Sequence, residues 1–349
     1  MLVTRQPLLR KFWYPVVPLS MLENGPVPFT LLGTRIAIWR GENGEVSAVR
    51  DRCCHRTAAL SLGFLSGNNI ACGYHGWEYD GSGKCVKIPQ QDRPEDVPDH
   101  VRVDAYRVAV RYDYVWVALD EPLTGIPDFP EAEDPEYRIV PEFYEVWNAA
   151  GLRVMENSFD NAHFSYVHKA SFGNDDDPTP ADLSIDETDH GFVMKSVIPV
   201  KNPEMQKELL GMDSDRTERH ITKTWFMPFA REMRIDYPNG LVHCIVTVAT
   251  PIDDSSSQIV QFAMRNDTEE DAPAEKVRAF DRQVTSEDRA ILEGTDPDVM
   301  LDVQSFREAH MRSDRPGLLM RKMLRKALAD RGETEALREP HAATNVAAE

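Results

Sequence analysis

The stretch on which the fold turns is Cys53–His75, CCHRTAALSLGFLSGNNIACGYH. It carries a Cys-x-His (Cys53, His55) and a Cys-x-x-His (Cys72, His75), with sixteen residues between His55 and Cys72. Two thiolates and two imidazoles are four good ligands. They could bind zinc tetrahedrally, or a two-iron cluster with both Cys on one iron and both His on the other. Gly63, Gly73 and Gly76 flank the pairs and let the backbone approach closely and turn amides toward sulfur. Imidazole ligation raises a cluster's potential above that of an all-Cys one, which suits a relay of single electrons.

The surroundings of this stretch read as short strands and tight turns. GTRIAIWRGENGEVSAVRDRC is two alternating runs joined around Asn43-Gly44, and WEYDGSGKCVKIP repeats the device with Asp80-Gly81 and Gly83. Residues 1–120 are therefore expected to be a small all-β domain. Residues 121–143, rich in Pro and acid with no apolar period, read as a connection. Residues 144–332 mix helices with antiparallel strands, Pro238-Asn239-Gly240 marking one turn and Asn174–Pro180 a loop. The run APAEKVRAFDRQVTSEDRAILEGTD is a helix. SDRPGLLMRKMLRKALADRG is another, with Asp314 as N-cap and Pro316 in its first turn. Residues 333–349 are expected to be a mobile tail.

At 349 residues, two domains are the natural expectation. Lys+Arg 39 against Asp+Glu 58 gives a charge of -19, which argues against nucleic acid or an anionic membrane as partner. No stretch approaches the roughly 20 apolar residues that span a bilayer. Five cysteines are too few and too odd a count for a disulfide scaffold, so a reducing cytoplasm is the expected compartment. Cys85 and Cys244, without a partner at ligand spacing, read as buried small hydrophobes.

A second constellation lies in NSFDNAHFSYVH, with Asn157, Asp160, His163 and His168. Asp160 and His163, three apart, would share a helix face. His163 and His168, five apart, sit about 140° from each other on an ideal helix. For both to reach one metal, the helix must bulge or stop between them. The spacing is not that of a zincin. Two His and one carboxylate on one face of iron leave positions for O2 and substrate, the arrangement of non-heme Fe(II) oxygenases.

DRCCHRTAALSLG followed by ACGYHGWEYDGSGKCVKIP, with FWYPVV (12–17) and LLGTRIAIWR (31–40) upstream, resembles the Rieske [2Fe-2S] module of Rieske non-heme iron oxygenases. One departure is Cys54, where the family usually has Pro. Cys53 alone gives Cys-x-His and is the ligand, and Cys54 is expected as a packed thiol. The resemblance implies an α+β chain: an N-terminal all-β Rieske domain, then a helix-grip catalytic domain with an antiparallel sheet wrapped on a long C-terminal helix. Leu318, Leu319, Leu324 and Leu328 fit such a helix. The family's third iron ligand lies in a helix past the last strands, where SEDRAILEG offers Asp288; Glu287 and Asp281 are rivals readable as solvated helix charges. The resemblance gives Asp160 the link between His163 and His75 of a neighbouring subunit, and Asn157 a polar place near the iron.

O2 activation needs two electrons and a Rieske cluster stores one. No Gly-x-Gly-x-x-Gly in a βαβ context is present, so a separate ferredoxin or ferredoxin reductase using NAD(P)H is implied. Arg50, Arg52, Arg56, Lys84 and Lys87 could dock it. Length and RSDRPGLLMRK resemble the vanillate and dicamba demethylase branch, which forms homotrimers. The expected reaction is oxidative O- or N-dealkylation of a small aromatic or heterocyclic substrate, in a pocket walled by Trp225, Phe229, Ile235 and His243. Arene cis-dihydroxylation and ring hydroxylation are the rivals. A Rieske electron carrier with a non-catalytic ligand-binding domain is the alternative of another class.

Overall fold

The computed structural model describes residues 1–169, 171–173, 178–202, 204, 207, 213–305 and 308–338. Of the expected Asn174–Pro180 loop, 174–177 lie outside the described residues, as do 339–349 of the expected tail.

The N-terminal part is built from three small antiparallel sheets. Tyr114–Ala118 lies between Tyr14–Pro18 and Arg107–Arg111, and Thr34–Arg40 between Val27–Leu31 and Val46–Arg50. The third sheet runs Phe64–Ser66, Asn69–Ala71, Glu78–Tyr79, Cys85–Lys87 in chain order. The turn chemistry explains these short hairpins. Gly44 has φ +83°, which its lack of a Cβ permits. Asp80 Oδ1 accepts from the amides of Ser82 (2.9 Å) and Lys84 (3.1 Å), fixing the turn that returns the chain to Cys85.

The C-terminal part is a seven-stranded antiparallel sheet. Arg138–Trp147 forms one edge beside Ser257–Arg265. Val242–Pro251, Ala230–Asp236, Arg216–Phe226, Gly191–Lys201 and Leu183–Thr188 follow in that order. The two strands from Val242 to Arg265 are buried at every position, because both faces are covered. Their even-numbered residues, Val246, Val260 and Phe262 among them, pack against Tyr114, Trp116 and Phe129 from the N-terminal half. Each such buried side chain contributes about 1.5–3 kcal/mol. Odd-numbered residues face the long helix Ala274–Leu292. The register places Ile221, Ile235 and His243 side by side, with Lys223, Met233 and Ile245 as the next row. Opposed residues share a face, so these rows form one inner wall.

The helix Gly151–Phe159 ends on extended Asp160, and a single turn Phe164–Val167 follows. The expected stop between the two histidines thus falls before His163, which caps this turn at one end while His168 caps the other. Asp160 and His163 do not share a helix face as their spacing suggested. They meet across a bend in which Asp160 Oδ1 accepts from the Ala162 amide at 2.7 Å. The closing helix Arg315–Ala329 buries Met320, Leu324 and Leu328, with Leu319 only half-buried, and lies against Gly151–Phe159 through Arg321 Nη2 and Glu156 Oε2 at 3.0 Å. Asp314 stands at its N-cap, but its carboxylate accepts from the Met311 amide at 2.7 Å and from none of the helix's own amides.

The segment 333–338, expected as mobile, is tied down. The Leu2 amide donates to Ala336 O at 2.7 Å, Gln6 Nε2 to Glu333 Oε2 at 2.9 Å, and the Leu301 amide to Glu335 Oε1 at 2.9 Å. The N-terminal backbone supplies partners that sequence periodicity does not reveal.

Candidate metal centres and substrate pocket

Cys53 and His55 leave the strand Val46–Arg50, and Cys72 and His75 leave Asn69–Ala71, so two adjacent loops present the four candidate ligands. Both thiols are buried, at 2% and 1% exposure. The loops close tightly: a Cβ on Gly63 would stand 1.9 Å from Ala71 O, and Gly76, at φ +71°, donates its amide to Cys72 O at 2.8 Å. The His55 and His75 rings lie 4.6 Å apart, and Trp77 stacks on His55 at 4.4 Å with a 2° tilt. His55 Nδ1 is buried without a hydrogen-bond partner. Two buried sulfurs, paired imidazoles and an orphaned ring nitrogen fit a cluster held by two Cys and two His. Tyr79 OH lies 3.0 Å from Cys53 Sγ and 3.3 Å from Cys54 Sγ. Cys54, expected as packed, is exposed, because the loop directs Cys53 inward and its neighbour out.

The second centre joins two elements. His163 and His168 come from the ends of the short turn, and Asp288 from the long helix across the cavity. His163 Nε2 and His168 Nε2 are 3.2 Å apart, and each is 3.4 Å from Asp288 Oδ1. An ion about 2.1 Å from each donor spans such a triangle and leaves its other side open. Asp288 Oδ1 is buried and has no hydrogen-bond partner, so the donor set fits a metal. Burial raises the Asp288 pKa, but the neighbouring His163 and His168 imidazoles and Asn157 outweigh it and keep the group below the usual carboxylate range.

The partners behind the ligands fix their tautomers. His163 Nδ1 faces Asp160 Oδ2 at 3.4 Å, and His168 Nδ1 faces Glu287 Oε2 at 2.8 Å. Ser171 Oγ donates to the same Glu287 oxygen at 2.9 Å. With each Nδ1 so engaged, each Nε2 is left to face the other two donors as a candidate metal ligand. Neither rival to Asp288 is a solvated charge. Glu287 orients His168, and buried Asp281 faces His243 Nε2 with its Oδ2 at 3.3 Å. Sequence reading passed over Glu287's role because a carboxylate next to a ligand on a helix points away from it by about 100°. Only the fold puts His168 between them.

A cavity of about 100 Å³ opens in front of the three donors. Ile235 and His243 line it as expected, whereas Trp225 and Phe229 do not. Trp225 turns to Pro228 O (3.1 Å from Nε1) and both sit in the core. Unanticipated polar groups also reach the cavity. Lys223 donates to Asn161 Oδ1 at 3.1 Å, and burial, with repulsion from Arg231, pulls its pKa down to about 7. Gln261, also in the lining, donates its Nε2 at 2.7 Å to Glu142 behind the wall, where burial and the neighbouring Asp281 push the Glu142 carboxyl well above the usual carboxylate range. Lys223 and Gln261 both line the cavity, but nothing local in the sequence distinguishes a cavity wall from a core.

Of the basic residues around the cluster loops, Arg50 pairs with Asp104 (3.2 Å), Lys84 with Asp99 (2.7 Å) and Lys87 with Glu78 (2.9 Å). Arg52 and Arg56 are exposed, with no ion pair among the described residues. No helix among those residues is long and apolar enough to cross a membrane.

A cluster-binding β module joined to an antiparallel sheet domain with a two-His, one-carboxylate centre defines a two-centre iron oxygenase component. Comparisons with known proteins agree. Residues 12–107 match the Rieske [2Fe-2S] domain, and residues 147–330 match the vanillate O-demethylase oxygenase C-terminal domain. The chain is 30% identical over 328 residues to the methylxanthine N1-demethylase NdmA of Pseudomonas putida, covering 91% of this chain and 89% of that one. The dicamba O-demethylase oxygenase component of Stenotrophomonas maltophilia is 33% identical over 171 residues, 48% of this chain and 50% of the other. The solved structure of NdmA from Pseudomonas putida CBB5 superposes with a TM-score of 0.79 at 28% identity, over 93% of each chain. The chain belongs to the Rieske non-heme iron oxygenases. It is an oxidoreductase whose cofactors are a Rieske [2Fe-2S] cluster and a mononuclear iron, with electrons drawn from NAD(P)H through a separate reductase.

Proposed function

We propose that this oxygenase removes an O- or N-methyl group from a small aromatic or heterocyclic compound. The observation that carries the reading is the open side of the His163, His168 and Asp288 triangle facing a largely apolar cavity. Relatives named as an N-demethylase and an O-demethylase component support it. One oxygen atom of O2 enters a methyl C–H bond, the other leaves as water, and two electrons and two protons are consumed. The hemiaminal or hemiacetal then collapses to formaldehyde and the dealkylated product.

Cys53 and Cys72 would hold one cluster iron and His55 and His75 the other, while His163, His168 and Asp288 would hold the mononuclear iron. When bound, the cluster supplies single electrons and the mononuclear iron a face on which O2 is activated. The chain's own residues set the conditions. Glu287 and Asp160 keep both imidazoles in the ligating tautomer. Asn157 steadies Asp288. Phe164, Phe172 and Val284 exclude water from the cavity. Lys223 anchors Asn161 and with it the bend that places Asp160 and His163.

We assign residues 1–120 to the Rieske domain, 121–143 to the connection and 144–332 to the catalytic domain. Leu62 and Tyr74 beside the cluster loops and Tyr166 beside the mononuclear site are 82%, 66% and 67% exposed. Large apolar side chains at both centres suit a homotrimer in which His75 meets Asp160 of the next subunit. The redox partner, a ferredoxin or its reductase, docks near exposed Arg52 and Arg56, and the system works in the cytoplasm. The test is turnover of the reconstituted system on a panel of methoxy- and N-methyl-arenes under isotopically labelled dioxygen. Formaldehyde with one labelled atom transferred per event supports the reading, and a cis-diol carrying two labelled atoms overturns it.

A further inference from the structure

Two guanidinium groups in the cavity wall have no role in holding either iron. Arg219 is 4% exposed and Arg231 is 8% exposed, and neither has a carboxylate within ion-pair distance among the described residues. An unpaired buried charge is costly unless a ligand completes it. The other charged groups of the wall are accounted for. Asp281 faces His243, Asp288 faces the His163 and His168 imidazoles, and Lys223 donates to Asn161 Oδ1. Arg219 and Arg231 are thus left without a carboxylate partner in the wall.

The two arginines differ in what they offer. Arg231 Nη2 already donates to Thr247 Oγ1 at 2.5 Å, and Arg231 opposes Trp225 in the strand register. Arg219 lies six residues back along that neighbouring strand, roughly 20 Å away at about 3.3 Å per residue. Its guanidinium sits over the Phe172 ring at 4.7 Å and near Tyr237 at 5.8 Å. Phe172 in turn stacks on His168 at 4.7 Å. Arg219 Nε and Nη2 are buried without partners. These two atoms form one edge of the guanidinium, the edge that grips a carboxylate with two parallel hydrogen bonds. Two aromatic rings fix the fork, and a single ring separates it from a metal ligand.

We propose that Arg219 is a specificity-determining residue that selects an anionic substrate: a small aromatic or heteroaromatic carboxylic acid whose carboxylate pairs with Arg219 while its alkylated heteroatom lies before His163, His168 and Asp288. This rests on the dealkylating reading above. Arg231 adds to the positive potential without touching the acid group.

The test uses iron-replete holoenzyme without oxygen and two probes of matched shape, para-methoxybenzoate and its neutral amide. Calorimetric titration is expected to show the acid binding at least about tenfold more tightly than the amide. Arg219→Gln should bring the two affinities within about twofold by weakening the acid alone, and Arg219→Lys, a point charge without the fork, should fall between. A wild-type protein that binds both probes equally, or prefers the amide, overturns the proposal whether or not the variants fold. So does a preference that survives in Arg219→Gln. Chelatable iron and the EPR signal of the cluster, read on the same samples, report separately on the oxygenase reading. Their absence from the wild type would sink that reading whatever the charge preference.

Discussion

Glu287→Gln tests how the catalytic domain holds its iron. Glu287 Oε2 lies 2.8 Å from His168 Nδ1 and accepts from Ser171 Oγ at 2.9 Å, while Asp288, one residue on, is turned to the imidazole Nε2 atoms. If Glu287 orients His168 and does not ligate, its loss weakens iron without abolishing the site. Carboxylates that back a ligating His are worth about 10–100-fold in metal affinity, about 1.4–2.8 kcal/mol. The glutamine keeps an oxygen for the Nδ1 proton but loses the charge, which removes about half of a charge-assisted bond's strength. Glu287→Gln should therefore weaken Fe(II) about tenfold and Glu287→Ala about a hundredfold. Asp288→Ala, which strips a ligand, should leave the centre empty. Competition against a ferrous chelator measures all three, with the cluster's visible absorbance as internal control. The reasoning fails if Glu287→Gln binds iron like the wild type. It also fails if Asp288→Ala keeps the iron that Glu287→Gln loses, since the ligand would then be Glu287.

Three further outcomes are expected. Asp160→Asn should retain both metals yet slow transfer of electrons from the reduced cluster in single-turnover kinetics by about tenfold or more, because the amide cannot carry the charge facing His163 Nδ1. Cys54→Ser should leave the cluster's spectrum intact, since the exposed thiol is no ligand; bleaching on purification would show otherwise. Glu142 gives a pH signature. Burial holds its folded pKa above the ordinary 4.5, so as pH rises past that value the unfolded chain releases a proton the folded chain keeps, and stability falls. The slope is at most about 1.4 kcal/mol per pH unit, and Glu142→Gln should flatten it in urea melts at pH values just above 4.5.

Much of this was legible in the residues. Cys-x-His and Cys-x-x-His loops mark candidate ligands because cluster chemistry allows few donor types at few spacings, and Asn43-Gly44 and Asp80-Gly81 declare the hairpins that carry them. His163 and His168 declared a broken helix, since no continuous one aims both at a single point. What stayed hidden was set by tertiary contacts. Asp281 and Glu287 look alike in a helical sequence, and only the sheet beneath decides that one meets His243 and the other His168. Trp225 and Ile235 alternate into the same face, yet Trp225 closes the core while Ile235 lines the cavity. The segment 333–338 has no periodicity of its own and takes its order from Leu2 and Gln6.

The most direct test is an iron count with EPR on dithionite-reduced wild type and Asp288→Ala side by side. The wild type should carry about three irons per chain and Asp288→Ala about two, both with the same rhombic signal of a reduced Rieske cluster. An Asp288→Ala protein that keeps its full iron, or one that loses the cluster signal along with it, would contradict two centres held by separate sets of residues.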